Sequence, residues 1–327
     1  PKPPRMSGYI SFPGSWNRYK LDGQALGSGG YATFRLQILP PDGFRGELAL
    51  RLRYLVASYR IWTDGDMLAE GGVVGTDTSS EIPNQHVHLP QFPVADRPIE
   101  LVLQISNFHW AQGGPLTSIE LGTREKLLTK QWAKWGISLL SVGAMLVMGI
   151  YHLVLFCFRP QNKAPLYFGF FCLLWMILQL TCNLSDWAVN LLLGDIPIWF
   201  QNRFDLIIFL ISVPMVYTFF RTLYPEEFSR RLQQLTWVIS AIFILLGLVL
   251  ATMAFSSAIA VFFIYAIFLI LYTVIRIFKV FLKKRQEVLF ILLGWVSMAI
   301  TSINDLLIDI QVIQSVYMTD IGMLLFI

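Results

Sequence analysis

The stretch Tyr59–Gly75, YRIWTDGDMLAEGGVVG, decides how the chain is organised. Two short segments, YRIWT and MLAEG, flank Asp64-Gly65. Aspartate and glycine tolerate the positive φ of a tight two-residue turn, so the stretch reads as a β-hairpin followed by glycine turns at Gly71 and Gly72. The flanking sequence alternates with period two, as strands do when one face is buried. In ATFRLQI, residues Ala32, Phe34, Leu36 and Ile38 share one face, and Thr33, Arg35 and Gln37 the other. LALRLR repeats the pattern with Leu48, Leu50 and Leu52, and IELVLQIS with Ile99, Leu101, Leu103 and Ile105. Several short strands within about 120 residues predict a β-sandwich or jelly roll.

Past that region the chain changes character. Of its 327 residues, 55% are hydrophobic and only 14% charged, against about 25% charged in a typical soluble domain. The expected layout is a multi-domain membrane protein: an all-β ectodomain over 1–125, a linker over 126–134, and an all-α bundle over 135–327. A helix needs about 20 apolar residues to cross a bilayer. Candidate spans run over 135–158, 165–183 and 205–224. The charge-free run 235–275 is too long for one span, and FSSA (255–258) is the expected turn within it. A sixth span covers 288–307. A seventh begins near Val316 and is cut at Ile327, so the chain is expected to be a piece of a longer protein. An exported ectodomain needs a leader, so one is expected to have been removed ahead of PKPPRMSG.

Basic residues set orientation. Arg159 and Lys163 follow the first span, Arg221, Arg230 and Arg231 the third, and Arg276, Lys279, Lys283, Lys284 and Arg285 the fifth. These loops are expected in the cytoplasm, leaving the β-domain outside. The segment RIFKVFLKKRQ suits anionic lipid headgroups. The loop 184–202, with Trp187 and Trp199, either lies flat on the outer surface or is an ordinary loop with interfacial anchors. The net charge of +4 is modest and spread over short loops, so nucleic acid is not implied. Cys157, Cys172 and Cys182 all lie in the apolar part and show no metal spacing, so they read as small buried hydrophobes. No motif calls for a cofactor.

The segments GYATFRLQI, YRIWTDGDMLAEGGVVG and SNFHWAQGG resemble the galactose-binding-like jelly roll of sugar-binding modules, with Asp64 where asparagine is commoner. Joined to the helical half, with SINDLL (302–307) closing the sixth span, the chain resembles the bacterial seven-transmembrane receptors with diverse intracellular signalling modules. That resemblance implies an inner-membrane receptor, with a periplasmic jelly roll sensing a small molecule or carbohydrate. It implies a cytoplasmic output enzyme absent from this chain (histidine kinase, nucleotide cyclase, diguanylate cyclase or phosphatase) and a homodimer. A transporter or channel accessory, or a tethered carbohydrate-binding scaffold, remains the alternative.

A sugar site needs flat aromatic faces and a few amides or carboxylates. Asn107, His109, Trp110 and Gln112 supply them in one short loop; Trp62 and Trp16 are further aromatic candidates. The competing expectation is that Trp62 and Trp110 fill the sandwich core or pack onto the membrane half, and that Asn107 forms a turn. Asp64, Asp66, Glu70 and Asp77 crowd around one hairpin as solvated turn residues do, so a glycosidase pair is not favoured. His86 and His88 share a strand face without a further metal ligand. Within the bundle, His152 is the only ionisable group well inside a span. Arg203, Asp205, Asp305, Asp309 and Asp320 fall near the outer surface. There they either form a cluster coupling the two halves, with Arg203 against Asp305 for instance, or sit singly in headgroup water. Transport would favour such groups at mid-depth beside broken helices; Pro214 is one kink only.

Overall fold

The computed structural model describes residues 8–327, apart from 22, 53–57, 84–87, 95, 117–118, 184–197, 284–286, 311 and 314. The chain has two compact units, whose main division falls between Ala133 and Lys134; each is described by itself.

The first unit is built on antiparallel strands. A small ribbon pairs β1 (Lys20–Leu21) with β2 (Gln24–Ala25). A four-stranded sheet has the order β3 (Gly30–Ile38), β8 (Ile99–Asn107), β5 (Ser58–Thr63), β6 (Asp66–Gly71). A three-stranded sheet has the order β7 (Gln91–Val94), β4 (Gly46–Arg51), β9 (Glu120–Gly122). Phe34, Tyr59, Ile61, Leu101, Leu103 and Ile105 of the larger sheet share one apolar core with Leu50, Phe92 and Val94 of the smaller. Two sheets around one core make a β-sandwich. Each side chain buried as fully as Ile61 or Leu103 contributes about 1.5–3 kcal/mol relative to exposure.

The alternation seen in the sequence is the register seen in the fold. Phe34, Leu103, Ile61 and Ala69 lie in one row across the sheet and face the core; Arg35, Val102, Trp62 and Met67 form a neighbouring row on the other face. Asp64 and Gly65 take φ of 49° and 93°, the positive pair that a two-residue hairpin needs. Asp64 does more than solvate the turn. Its Oδ1 accepts from the Glu100 amide at 2.9 Å, and its Oδ2 pairs with Arg97 at 2.9 Å. Gly71 leaves room for the Tyr59 ring, since a Cβ there would lie 2.4 Å from it.

The second unit is helical. In chain order the helices are α1 (Arg124–Phe158), α2 (Ala164–Asn183), α3 (Ile198–Leu223), α4 (Arg230–Val249), α5 (Thr252–Leu282), α6 (Val288–Asp309) and α7 (Thr319–Phe326). Among the described residues, the first six are long and apolar enough to cross a membrane, with mean hydropathy between 1.7 and 2.7; α7 has 8 residues. The layout is that of a multi-pass membrane protein. Where helices cross, small residues let backbones meet. Gly149 of α1 and Gly169 of α2 face each other so closely that a Cβ on Gly169 would lie 3.0 Å from the Gly149 carbonyl oxygen. Phe220, Trp295, Phe326 and Phe171 join α3, α6, α7 and α2 in an aromatic core, with Trp295 4.8 Å from Phe220 between ring centroids. His152 packs edge-on against Phe168 at 4.6 Å, with Nδ1 2.9 Å from the Met148 carbonyl.

Three boundaries differ from expectation. Residues 126–134, expected as a linker, are helical within α1. The third span starts earlier, at Ile198. FSSA is not a turn: it lies inside α5, and the break falls at Leu250 and Ala251, both extended with ψ of 148° and 149°. A serine inside a helix bonds back to its own turn, so it does not force a stop. The expectations for His86, Trp187, Lys284 and Arg285 fall outside the described residues.

Candidate ligand loop and polar groups of the helices

The loop after β8 is built by two asparagines. Asn107, fully buried at the strand end, donates through Nδ2 to the carbonyls of Ser28 and Trp110 at 2.9 Å and of Gln112 at 3.3 Å. Its Oδ1 accepts from the Trp110 amide at 3.0 Å. Asn17 holds the far side, donating to the Ala111 carbonyl at 2.7 Å and accepting from the Gly113 amide at 3.0 Å. Trp16, 3% exposed, lies in the core against Phe34 and donates Nε1 to the Gly27 carbonyl at 3.1 Å. Gly113 and Gly114 fit against Trp16; a Cβ on Gly113 would lie 2.3 Å from its ring.

Beneath the loop lies a buried carboxylate. Glu81, 4% exposed, accepts from the Ser106 hydroxyl at 2.8 Å and from the Phe108 amide at 2.7 Å. His109 Nε2 stands 3.8 Å from its Oε2. Ser106 in turn accepts from the Gly75 amide at 3.1 Å, so the glycine turn after β6 is tied to β8. In that turn Asp77 accepts from Ser79 and Ser80, which holds its carboxyl down at about 2. Burial raises the Tyr59 hydroxyl, whose oxygen has no hydrogen-bond partner.

The fold therefore sorts the six aromatic and amide candidates. Asn107 and Trp16 spend their polar atoms on the loop's own backbone. His109, Trp110 and Gln112 are half-buried at its rim, and the ring N–H of Trp110 and Nε2 of His109 have no hydrogen-bond partner. Trp62 is elsewhere. It is half-buried on the sheet face opposite the core, paired with Val102, about 17 Å along β8 from Asn107 at about 3.4 Å per residue. Glu81 and Asn17 were not singled out from the sequence. Asn17 meets partners 94 and 96 positions away, beyond the reach of any local pattern. Glu81 carried a weak signal only, as a carboxylate in SSEIP between a turn and an apolar residue.

The helical candidates separate into two groups. Asp305 receives the amides of Met318 at 2.9 Å and Thr319 at 2.9 Å, so it caps α7 from α6. Asn304 donates to the Val316 carbonyl at 2.8 Å, and Asp309 accepts from the Tyr317 hydroxyl at 2.8 Å. SINDLL thus holds the start of α7. Asp205 instead meets the Cys182 thiol at 3.4 Å, and Arg203 donates to the Leu250 carbonyl at 2.9 Å. The pairing of Arg203 with Asp305 does not form, because each is committed to backbone elsewhere. In the loop after α3, Glu227 is bridged by Arg276 and Lys283, and the Lys283 hydrogen bond lowers its carboxyl. Part of the basic segment is thereby engaged within the protein.

A comparison with curated proteins finds no match. Residues 134–327, more than half of the chain, match the family described as 7TM diverse intracellular signalling, and the chain belongs to that family.

Proposed function

We propose that this transmembrane signalling receptor senses a small molecule or carbohydrate with its β-sandwich, taken as a galactose-binding-like jelly roll. The ligand is held at the 107–114 loop. The sandwich lies on the periplasmic side of a bacterial inner membrane, and the helices pass the change to a cytoplasmic output enzyme encoded beyond residue 327, with the receptor working as a homodimer. The observation that carries the sensor reading is the loop itself. Asn17 and Asn107 fix its backbone from both sides, while the side chains of His109, Trp110 and Gln112 stand half-buried at its rim. A fixed aromatic face beside the Gln112 amide suits a polyol, which stacks its C–H groups and bonds its hydroxyls. Trp62 offers a second, separate platform on the sheet face. Asp205, Asp305, Asp309 and Arg203 are the polar groups of the helices taken to couple ligand binding to the bundle. Ligand must favour one of two arrangements, since equal affinity shifts nothing.

A glycan and small-molecule screen on the full chain in nanodiscs tests this. Binding is expected to be lost in Trp110→Ala and kept in Trp62→Ala. The reverse pattern moves the site to the sheet face. No binding by any sugar, amino acid or organic acid turns the sandwich into a docking module.

A further inference from the structure

The larger sheet ends in a strand with an open side. Among the described residues β3 bonds β8, and no hydrogen bond reaches its other edge. The groups on that edge can be named. The Asp64 amide donates to the Glu100 carbonyl at 2.9 Å, and the Glu100 amide donates to Asp64 Oδ1 at 2.9 Å. Both backbone groups of Glu100 therefore point away from β3. Backbone direction alternates along a strand, so Leu101, Leu103 and Ile105 point toward β3, where they meet Leu36, Phe34 and Ala32. The N–H and C=O groups of Tyr31, Thr33, Arg35 and Gln37 are left facing outward.

Such edges recruit other strands, and proteins blunt them with short strands, prolines, bulges and charges. The other outer strands of the two sheets are blunted in these ways. β6 has a register break against β5 and carries Asp66 and Glu70. β7 has four residues with Pro93 among them, and β9 has three. β3 runs nine residues in unbroken register, from Gly30 opposite Asn107 to Ile38 opposite Ile99, without a proline. Its one charge, Arg35, is paired with Glu100.

The edge is also complementary to itself. Consider a second copy laid antiparallel, so that Phe34 meets Phe34 of the second copy. Thr33 then faces Arg35, and Tyr31 faces Gln37, each at two symmetric places. Every outward N–H and C=O finds a partner and no like charges meet. A slide by two residues in either direction takes Tyr31 or Gln37 off the ladder, and in one direction it sets Arg35 against Arg35. Tyr31 and Leu39, 64% and 73% exposed, stand diagonally across the join on the face away from the core.

We propose that two copies of the chain join edge to edge through β3, with Phe34 on the two-fold axis. This rests on the homodimer of the proposed function and names its contact on the sandwich.

The test is Förster transfer between donor-labelled and acceptor-labelled full chains in lipid vesicles at falling protein density. Thr33→Pro removes an outward N–H and none that bonds β8, so it suits an edge strand. It should weaken association about thirtyfold, for two lost hydrogen bonds, and leave the chain folded. Two further variants decide if the proline chain does not fold. Thr33→Arg sets arginine against Arg35 twice and should weaken association about fivefold, whereas Thr33→Glu should strengthen it by about the same factor. Thr33→Cys on one copy and Arg35→Cys on the other should give a mixed disulfide on oxidation; Thr33→Cys with Met67→Cys, on β6, should not. A dimer unchanged by all three Thr33 substitutions, with no mixed disulfide, overturns the β3 join and leaves the homodimer standing. A parent chain that is monomeric at every density overturns both, and slow amide exchange at Thr33 and Arg35 in that monomer would show another segment on the edge.

Discussion

Replacing Asn107 by alanine should unfasten the candidate loop, and the size of the effect follows from its bonds. The substitution removes three donations and one acceptance. The Ser28 carbonyl keeps a second donor, Trp16 Nε1 at 3.3 Å. Three backbone groups then lose the partner Asn107 gave them: the Trp110 amide, the Trp110 carbonyl and the Gln112 carbonyl. Each costs about 1–3 kcal/mol when left unsatisfied in a buried place, and the half-buried rim argues for the lower end. The expected loss is about 3 kcal/mol, or about 12 °C in the melting temperature of a unit this size. Asn107→Asp should cost more, because it turns a carboxylate oxygen toward three carbonyls. Gln112→Ala, which removes only a rim side chain, should change stability by less than about 0.5 kcal/mol. Tryptophan fluorescence during heating reads all three, and hydrogen exchange at the Trp110 amide localises the change. A loss under about 0.5 kcal/mol in Asn107→Ala, or an aspartate variant as stable as the parent, would refute the clamp.

Other outcomes test other parts of the fold. Gly113→Ala would set a Cβ 2.3 Å from the Trp16 ring and 2.5 Å from the Ser28 carbonyl; a loss of about 1–3 kcal/mol is expected, and an unchanged melting curve would show that the ring can move aside. Asp305→Ala removes the acceptors of two amides at the start of α7 and should cost about 1–2 kcal/mol, read as faster hydrogen exchange at Met318 and Thr319. Asp77 has a folded pKa of about 2 against an unfolded value near 4. Its contribution to stability is therefore full above about pH 4 and is lost as pH falls toward 2. A carboxyl-carbon titration should show that low midpoint, moving upward in Ser79→Ala; a midpoint near 4 in the parent would sink the assignment.

The local rules carried some elements much further than others. β3 and β8 were legible because one face of each is turned to the core, which imposes a period of two, and β5 and β6 because they flank a turn signal. The same parity put Trp62 on the face away from the core. Asp64-Gly65 was legible because few residue pairs tolerate two positive φ values. The break between α4 and α5 was not, because the run 235–275 holds no charge, proline or glycine at the place where the chain turns. The loop residues were legible as a group but not in their roles. Asn107 bonds the carbonyl of Ser28, 79 positions away, and only the folded sheet brings that group to it. Depth alone left Arg203 and Asp305 either as a pair or as single groups in headgroup water; in the fold a backbone carbonyl takes Arg203 and backbone amides take Asp305.

The meeting of Gly149 with Gly169 limits how the bundle can move. A side chain on either side of that point would be driven into the other backbone if α1 slid along α2, since Leu173 and Leu153 already close the gap above and below. Translation is blocked, while tilting about the contact disturbs little. The two helices can therefore act as a scissor with a fixed pivot, and a small displacement at one end of α1 would return at the other end with opposite sign.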